Sequence, residues 1–171
     1  MSEPARQGAE PLRRVTAGTL ARYDRPGPRY TSYPTAVEFT DVTSDDYAEV
    51  LQHADEEGAA PLSVYMHLPF CYEQCLFCAC HVVISPRHER ALPYLDQMCR
   101  EIDLIAEQVP HRRSLAQLHL GGGTPTYYRP EELSRLLEHF LARFPARDDA
   151  ELAIEVDPRV TSEEHIDMLA G

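Results

Sequence analysis

The sequence predicts an α/β fold in which three strands alternate with amphipathic helices and pair in parallel. A pattern that recurs three times along the chain supports this prediction. Apolar stretches of strand length at 62–68, 115–120 and 151–156 are each followed by a polar or glycine-rich loop and then by a helical pattern. Strands separated by helices imply right-handed crossovers and parallel pairing. An N-terminal extension with less regular patterning precedes this alternation.

The first helix and the first strand have clear local patterns. Ser44 is the predicted N-cap of a helix over 44–57. In the first strand, alternate residues are apolar, whereas Tyr65 and His67 face the opposite side. We expect His67, and likewise His119 on the second strand, to be hydrogen-bonded core residues.

Three later helices are predicted from apolar stripes and capping patterns. One spans 92–109, and a second begins at Pro130, where a missing N–H costs nothing. Thr161 and Glu164 match a capping box for a last helix. The third strand is expected over 151–156.

The chain divides into three predicted parts. Residues 1–20 are expected to be disordered, and 21–60 to form an extended segment plus a helix that packs on the barrel. Residues 61–171 are expected to form a partial barrel, truncated before the remaining strands and any C-terminal domain. Three units cannot close a barrel, which takes ~250 residues for eight strands. We therefore expect the chain to be a piece of a longer protein.

Composition excludes some classes of function. Acidic residues outnumber basic ones 28 to 16, which gives a formal charge of −12 and argues against a nucleic-acid partner. No apolar run approaches the ~18–20 residues that span a bilayer. The polar first residues lack a signal peptide. We therefore expect a cytoplasmic protein, in which clustered cysteines bind metal more often than they form disulfides.

Four cysteines lie directly after the first strand. Cys71, Cys75 and Cys78 supply three thiolates from one loop, which would leave one iron of a [4Fe–4S] cluster open to a chelating ligand. Cys80 follows Cys78 by only two residues, which is too close to reach a separate corner of the cluster easily. We therefore expect Cys80 to stay unligated. The alternatives are a structural zinc site made by all four cysteines, or disulfides.

The other two predicted strands also end in candidate site residues. Gly121-Gly122-Gly123-Thr124 follows the second strand, and Glu155 lies at the end of the third. Glycines at this edge let the backbone approach a ligand closely, although a tight turn would explain them as well. Because ligands bind at the carboxyl ends of parallel strands, the three segments predict one site.

The cysteine loop resembles the signature of the radical S-adenosylmethionine superfamily. Longer strings resemble the oxygen-independent coproporphyrinogen III oxidases within it. These strings are Arg29-Tyr30-Thr31-Ser32-Tyr33-Pro34-Thr35, Tyr65-Met66-His67-Leu68-Pro69-Phe70-Cys71, Cys75-Leu76-Phe77-Cys78-Ala79-Cys80, Gly121 to Thr126 and Ile154-Glu155-Val156-Asp157-Pro158-Arg159. The resemblance implies a partial (β/α) radical S-adenosylmethionine barrel with about three β/α units of an expected six.

The resemblance also implies a reaction. Enzymes of this family convert coproporphyrinogen III to protoporphyrinogen IX in haem synthesis by oxidative decarboxylation of two propionates, without oxygen. The reduced cluster cleaves S-adenosylmethionine to a 5′-deoxyadenosyl radical, which takes a hydrogen atom from the propionate. A reduced donor of the flavodoxin or ferredoxin type, a monomeric state, and no contact with nucleic acid or membrane are also expected.

Residue roles follow from the same resemblance. The cluster ligands would be Cys71, Cys75 and Cys78. The first S-adenosylmethionine would bind Tyr65, Gly122 and Glu155, and a second would be lined by Phe77, Gly123 and Thr124. Cys80 would be a non-ligand cysteine near the site and the candidate catalytic residue. The alternatives are a related haem chaperone and an inactive truncated remnant.

Overall fold

The computed structural model describes residues 16–24, 34–58 and 60–171. The chain forms two units, Met1–Asp41 and Val42–Gly171.

The first unit contains one described helix and one 3-10 turn. Helix α1 spans Ala17–Tyr23, and the turn spans Ala36–Glu38. Helix α1 covers the last residues of the stretch predicted to be disordered, and residues 1–15 lie outside the described part. Most of the predicted extended segment, from 25 to 33, also lies outside it.

A parallel three-stranded sheet forms the centre of the second unit, with the strand order β1-β4-β5. The prediction of an α/β fold with a parallel sheet is therefore confirmed. The strands are β1 (Leu62–Leu68), β4 (Leu115–Gly122) and β5 (Ala146–Ile154). The helices are α2 (Ser44–Glu56), α3 (Leu92–Gln108), α4 (Pro130–Leu141) and α5 (Glu163–Ala170).

The two faces of the sheet differ in character. One face is apolar and contributes to a single core together with α3 and α4. Its central members are Met66, Leu68, Leu118, Leu120, Leu95, Ile102, Leu133, Leu136 and Phe140. Complete burial of one such Leu or Phe side chain contributes about 1.5–3 kcal/mol. The other face carries polar side chains, where Ser63 donates a 2.8 Å hydrogen bond to Gln117.

A second, very small sheet closes the cysteine loop. Strands β2 (Phe70–Cys71) and β3 (Val83–Ile84) pair in parallel on either side of it. Val83 N–H donates to Pro69 at 2.8 Å, and Ser85 N–H donates to the Cys71 carbonyl at 2.9 Å. The base of the loop is therefore closed by backbone hydrogen bonds.

Aromatic rings pack beneath this loop. Tyr127, in a 3-10 turn over Pro125–Tyr127, lies 5.8 Å from Phe70 and 4.3 Å from Tyr72 between ring centroids. Its hydroxyl donates to the Ser85 carbonyl at 3.0 Å. One buried tyrosine thus connects both ends of the loop to the core.

The N-cap of α2 differs from the prediction by one residue. Thr43, not Ser44, caps the helix, because its hydroxyl accepts from Asp46 N–H while the Asp46 carboxylate accepts from Thr43 N–H. This reciprocal pair is a capping box with aspartate in the third position.

The N-cap of α5 also differs from the prediction. Ser162 caps the helix through His165, and the predicted cap, Thr161, is not available. The Thr161 hydroxyl donates to the Asp157 carbonyl at 2.8 Å and lies 2.8 Å from the Thr126 hydroxyl. Tertiary contacts have therefore displaced the capping pattern by one position.

Strand β5 begins at Ala146, five residues before the predicted start, because the exposed residues Arg147–Asp149 hide the alternation. A register shift between Leu115 and Gln117 accompanies this early start. Strand β1 has the predicted bounds. Among the described helices, none has both the length and the apolar character needed to cross a membrane.

Candidate functional site

The candidate site is a cavity of about 310 Å³ at the carboxyl ends of the strands. Every residue with a predicted role in the site except Tyr65 lines this cavity. The predicted residues in its wall are Cys71, Cys75, Phe77, Cys78, Cys80, Gly122, Gly123, Thr124 and Glu155. The fold therefore brings the three predicted segments to one place.

The cysteines differ in their surroundings. Cys71 is buried on β2, with its thiol 3.4 Å from the Thr124 hydroxyl, whereas Cys75 is exposed and Cys78 is half-buried. A turn joins Cys78 N–H to the Cys75 carbonyl at 3.1 Å. The neighbouring Cys78 raises the pKa of the exposed Cys80 thiol, mainly through charge repulsion.

The donor set fits an iron–sulfur cluster. All five cysteines are free thiols, and four of them line the cavity. Within the described residues, no three Cys, His, Asp or Glu side chains converge on a single point as a preformed site for one metal ion. The ligands of a [4Fe–4S] cluster bind different irons, so its thiolates surround a space rather than meet at a point.

The glycine run is required by neighbouring protein atoms. A Cβ on Gly121 would lie 2.9 Å from the Glu155 carboxylate, and one on Gly122 would lie 2.5 Å from the His67 ring. Gly122 also has a φ of +108°, which side chains rarely adopt. A Cβ on Gly123 would lie 2.6 Å from the Pro69 carbonyl. Two of these glycines therefore make room for polar side chains of the site.

The Glu155 carboxylate has partners on β4. It accepts a 3.1 Å hydrogen bond from Gly122 N–H, and its second oxygen lies 3.4 Å from His119 Nε2. About half of the side chain, 53%, is still exposed. The carboxylate can therefore hold a cationic ligand group while its orientation is constrained from the protein side.

Tyr65 lies beside the cavity and is connected to it through histidines. Its hydroxyl is 3.1 Å from His67 Nδ1, and its ring stacks on His119 with a centroid distance of 5.8 Å. His67 Nε2 lies 2.9 Å from the His81 carbonyl. Because a carbonyl only accepts, Nε2 donates to it, and Nδ1 of the neutral ring accepts from Tyr65. Partial burial and the charge of Glu155 raise the pKa of Tyr65.

The structure corrects the prediction that His67 and His119 are core residues. Both lie on the polar face of the sheet, and both contact predicted site residues. Tyr65 precedes His67 by two positions and pairs with His119 across the strands. The two-residue spacing could have associated His67 with the site, whereas the cross-strand pairing is not visible in the sequence.

A smaller cavity of about 190 Å³ adjoins the site and includes two charged residues to which the sequence motifs assign no role, Asp157 and Arg159. Arg159 donates to the Asp157 carboxylate at 2.7 Å and to Glu73, in the cysteine loop, at 3.5 Å. Hydrogen bonds from Arg159 lower the pKa of Asp157. The pair therefore connects the segment after β5 to the cysteine loop.

Phe77 differs from the rest of the site, because its side chain is completely exposed, as is that of its neighbour Leu76. It extends from the cysteine loop between Cys75 and Cys78. Nothing in the described residues packs against it as a core contact.

Comparison with known proteins agrees with this geometry. The model of the radical SAM superfamily, named for S-adenosylmethionine, matches residues 65–171. Proteins named oxygen-independent coproporphyrinogen III oxidase are 43% identical over 142 residues in Escherichia coli K12 and 38% identical over 153 residues in Helicobacter pylori J99. These alignments cover 82% and 88% of this chain, but 30% and 34% of the relatives.

Two further matches refine the comparison. The chain is 41% identical over 140 residues to a Mannheimia haemolytica protein of the same name, covering 81% of this chain and 93% of that one. The solved structure of coproporphyrinogen III oxidase from Escherichia coli, a radical SAM enzyme, matches with a TM-score of 0.76 and 38% identity. That match covers 88% of this chain and 33% of the solved chain.

The chain belongs to the radical SAM superfamily and, within it, to the family of oxygen-independent coproporphyrinogen III oxidases. It spans about a third of the length of the Escherichia coli and Helicobacter pylori relatives.

Proposed function

We propose that this chain forms the cluster-binding and S-adenosylmethionine-binding part of an oxygen-independent coproporphyrinogen III oxidase. The complete enzyme would convert two propionates of coproporphyrinogen III to vinyl groups and release carbon dioxide. The observation that supports this proposal most directly is the single cavity, where the thiols of the cysteine loop lie beside Glu155 and the Gly122–Thr124 segment.

Cys71, Cys75 and Cys78 would hold a [4Fe–4S] cluster. When bound, the cluster supplies the electron that cleaves S-adenosylmethionine. The closed base of the cysteine loop would hold the three thiolates on one side of the cavity, and the buried position of Cys71 would restrict access of water to its ligand bond. Cys80 would stay unligated near the cluster, where we propose it as a candidate catalytic residue.

Glu155, Tyr65 and Gly122 would bind the first S-adenosylmethionine. The carboxylate of Glu155 suits the ammonium group at the amino-acid end of this ligand, because it is exposed and already oriented by Gly122 N–H. A second S-adenosylmethionine would be lined by Gly123, Thr124 and the exposed Phe77 ring, which has the apolar surface to pack on an adenine.

The remaining expectations belong to the same proposal. The complete protein would have six β/α units. Strands β1, β4 and β5 would belong to three of them. It would act as a cytoplasmic monomer that receives electrons from a reduced flavodoxin- or ferredoxin-type donor.

Substitution of single cysteines tests the cluster assignment. The chain is reconstituted anaerobically with iron and sulfide, and bound iron and the electron paramagnetic resonance of the reduced protein are measured. Cys71→Ser, Cys75→Ser and Cys78→Ser should each lose the cluster, whereas Cys80→Ser should keep it. Cys99→Ser, on α3 and outside the cavity, is the matched control. Cluster loss in Cys80→Ser, or retention in Cys71→Ser, would contradict the assignment.

The reaction is tested in a chimaera of this chain with the remaining two thirds of the Escherichia coli relative. Anaerobic incubation with coproporphyrinogen III, S-adenosylmethionine and a reductant should yield vinyl groups and carbon dioxide. Haem binding without carbon dioxide release would instead support a haem chaperone, and would refute the oxidase.

A further inference from the structure

His119 is placed between two predicted ligand-binding side chains by strand register. It lies opposite Tyr65 on β1 and opposite Ala153 on β5. Because side chains alternate along a strand, Tyr65, His119, Ala153 and Glu155 all extend from the same face. Ala153 carries only a methyl group, so the imidazole has room to reach Glu155, which lies two residues after Ala153 and directly follows the end of β5.

The contacts of His119 follow from this placement. Its Nε2 lies 3.4 Å from Glu155 Oε1, and its ring stacks on Tyr65 with an interplanar angle of 23°. The remaining oxygen of Glu155 accepts from Gly122 N–H. Each carboxylate oxygen therefore has its own partner on β4, which limits rotation of the group.

His119 itself does not line the cavity that holds the cysteines, although Glu155 does. Its contacts with the site therefore run through Glu155 and Tyr65.

We propose that His119 is a positioning residue for the S-adenosylmethionine site, which sets the carboxylate of Glu155 and the ring of Tyr65 in their binding orientations. This inference rests on the proposed function of that site. Without the imidazole, the Glu155 carboxylate would keep, among the described residues, only its hydrogen bond from Gly122 N–H and could rotate, and Tyr65 would lose its stacking partner. Both side chains would then become ordered only when the ligand binds, and the entropy lost in this ordering would weaken the affinity.

The test measures the dissociation constant of S-adenosylmethionine for the reconstituted chain by anaerobic calorimetry, together with the ligand-induced change in the resonance spectrum of the reduced cluster. His119→Ala should weaken binding about tenfold, the effect of one hydrogen bond to a charged group. His119→Gln keeps an N–H donor and His119→Phe keeps the ring, so each should restore part of the affinity. Gln117→Ala, on the same face of β4, is the matched control and should leave affinity unchanged.

A double-mutant cycle separates positioning from a structural role. On the Glu155→Gln background, His119→Ala should weaken binding much less than on the parent, because the carboxylate that it orients is already gone. If the losses of affinity from the two substitutions are additive, or if His119→Ala binds as tightly as the parent, the inference about His119 is overturned while the proposed function stands. A cluster-loaded parent chain that binds no S-adenosylmethionine would overturn the proposed function and the inference with it.

Discussion

The imidazole of His67 occupies the space that a side chain on Gly122 would need, since a Cβ there would lie 2.5 Å from the ring. His67 in turn accepts from the Tyr65 hydroxyl and donates to the His81 carbonyl. The glycine on β4 thus determines where a histidine and a tyrosine of β1 can lie. Sequence segments about 55 residues apart are coupled through this one contact.

Replacement of Gly122 by alanine should destabilise the protein through both its backbone angle and this contact. We expect Gly122→Ala to lower the free energy of unfolding by about 2–4 kcal/mol. Gly58→Ala is the control, because Gly58 has a φ of +88° but no atom of the described residues lies within 4 Å of its Cβ position. That variant should lose only about 1–2 kcal/mol, the cost of the backbone angle. Equal losses in urea unfolding would show that the His67 contact is unimportant.

Gly121→Ala should affect the ligand site with little effect on stability. Its added Cβ would lie 2.9 Å from the Glu155 carboxylate, which is the end of a flexible side chain and can move aside. We expect a change in unfolding free energy below about 1 kcal/mol and a clear loss of S-adenosylmethionine affinity. Unchanged affinity, measured on the reconstituted chain, would argue against a binding role for Glu155.

Stability should fall in acid partly through Asp157. Arg159 lowers the pKa of this carboxyl in the folded chain, so its stabilising contribution is present above its unfolded value of 3.8 and is lost as the pH falls through the folded value. We expect Arg159→Gln to show a flatter decline of unfolding free energy below about pH 4 than the parent. The two proteins should differ little in unfolding free energy at neutral pH, because the pair is near the surface.

The matched control for this experiment is Arg147→Gln, which breaks the exposed pair between Arg147 and Asp149 on β5. If both variants change the decline of unfolding free energy below about pH 4 equally, the effect reflects the total charge and not the Arg159 contact.

Thr43 should contribute more to α2 than the adjacent serine does. Thr43→Ala removes the hydroxyl that accepts from Asp46 N–H and should cost about 1 kcal/mol. Ser44→Ala, one residue later, should be almost neutral in the same chemical denaturation assay. A larger loss of stability in Ser44→Ala than in Thr43→Ala would show that Ser44 is the N-cap.

The isolated chain should hold a labile cluster and turn over no coproporphyrinogen III. The polar face of the sheet, with Tyr65 and Glu155 about half exposed, is open in the described residues, so water has access to any radical formed there. Carbon dioxide release by the isolated chain under anaerobic conditions would refute this expectation.

Local patterns predicted most of the fold. The bounds of β1 and the start of α4 at Pro130 follow from alternation and from proline at a first helical turn. The caps Thr43 and Ser162 were each missed by one residue, because neighbouring hydroxyls compete for the same role. Only tertiary contacts decide between them, as the use of the Thr161 hydroxyl on Asp157 illustrates.

The candidate site was predicted as a set of residues, but not as a set of contacts. Motif positions brought the cysteines, Gly122 and Glu155 together, and the structure places them around one cavity. The involvement of His119 depends on the register between β1, β4 and β5, which is a non-local property. A one-residue slip would have turned His119 into the core.

The closed base of the cysteine loop affects how the thiols would meet iron. Backbone hydrogen bonds from Val83 and Ser85 join the two ends of the loop, so its cysteines are tethered at short range. In kinetic terms, the second and third thiolates would act at a high effective concentration once the first had bound iron. Assembly of a cluster would then resemble chelation by a single multidentate ligand, and it would be governed by one early capture step rather than by three independent encounters.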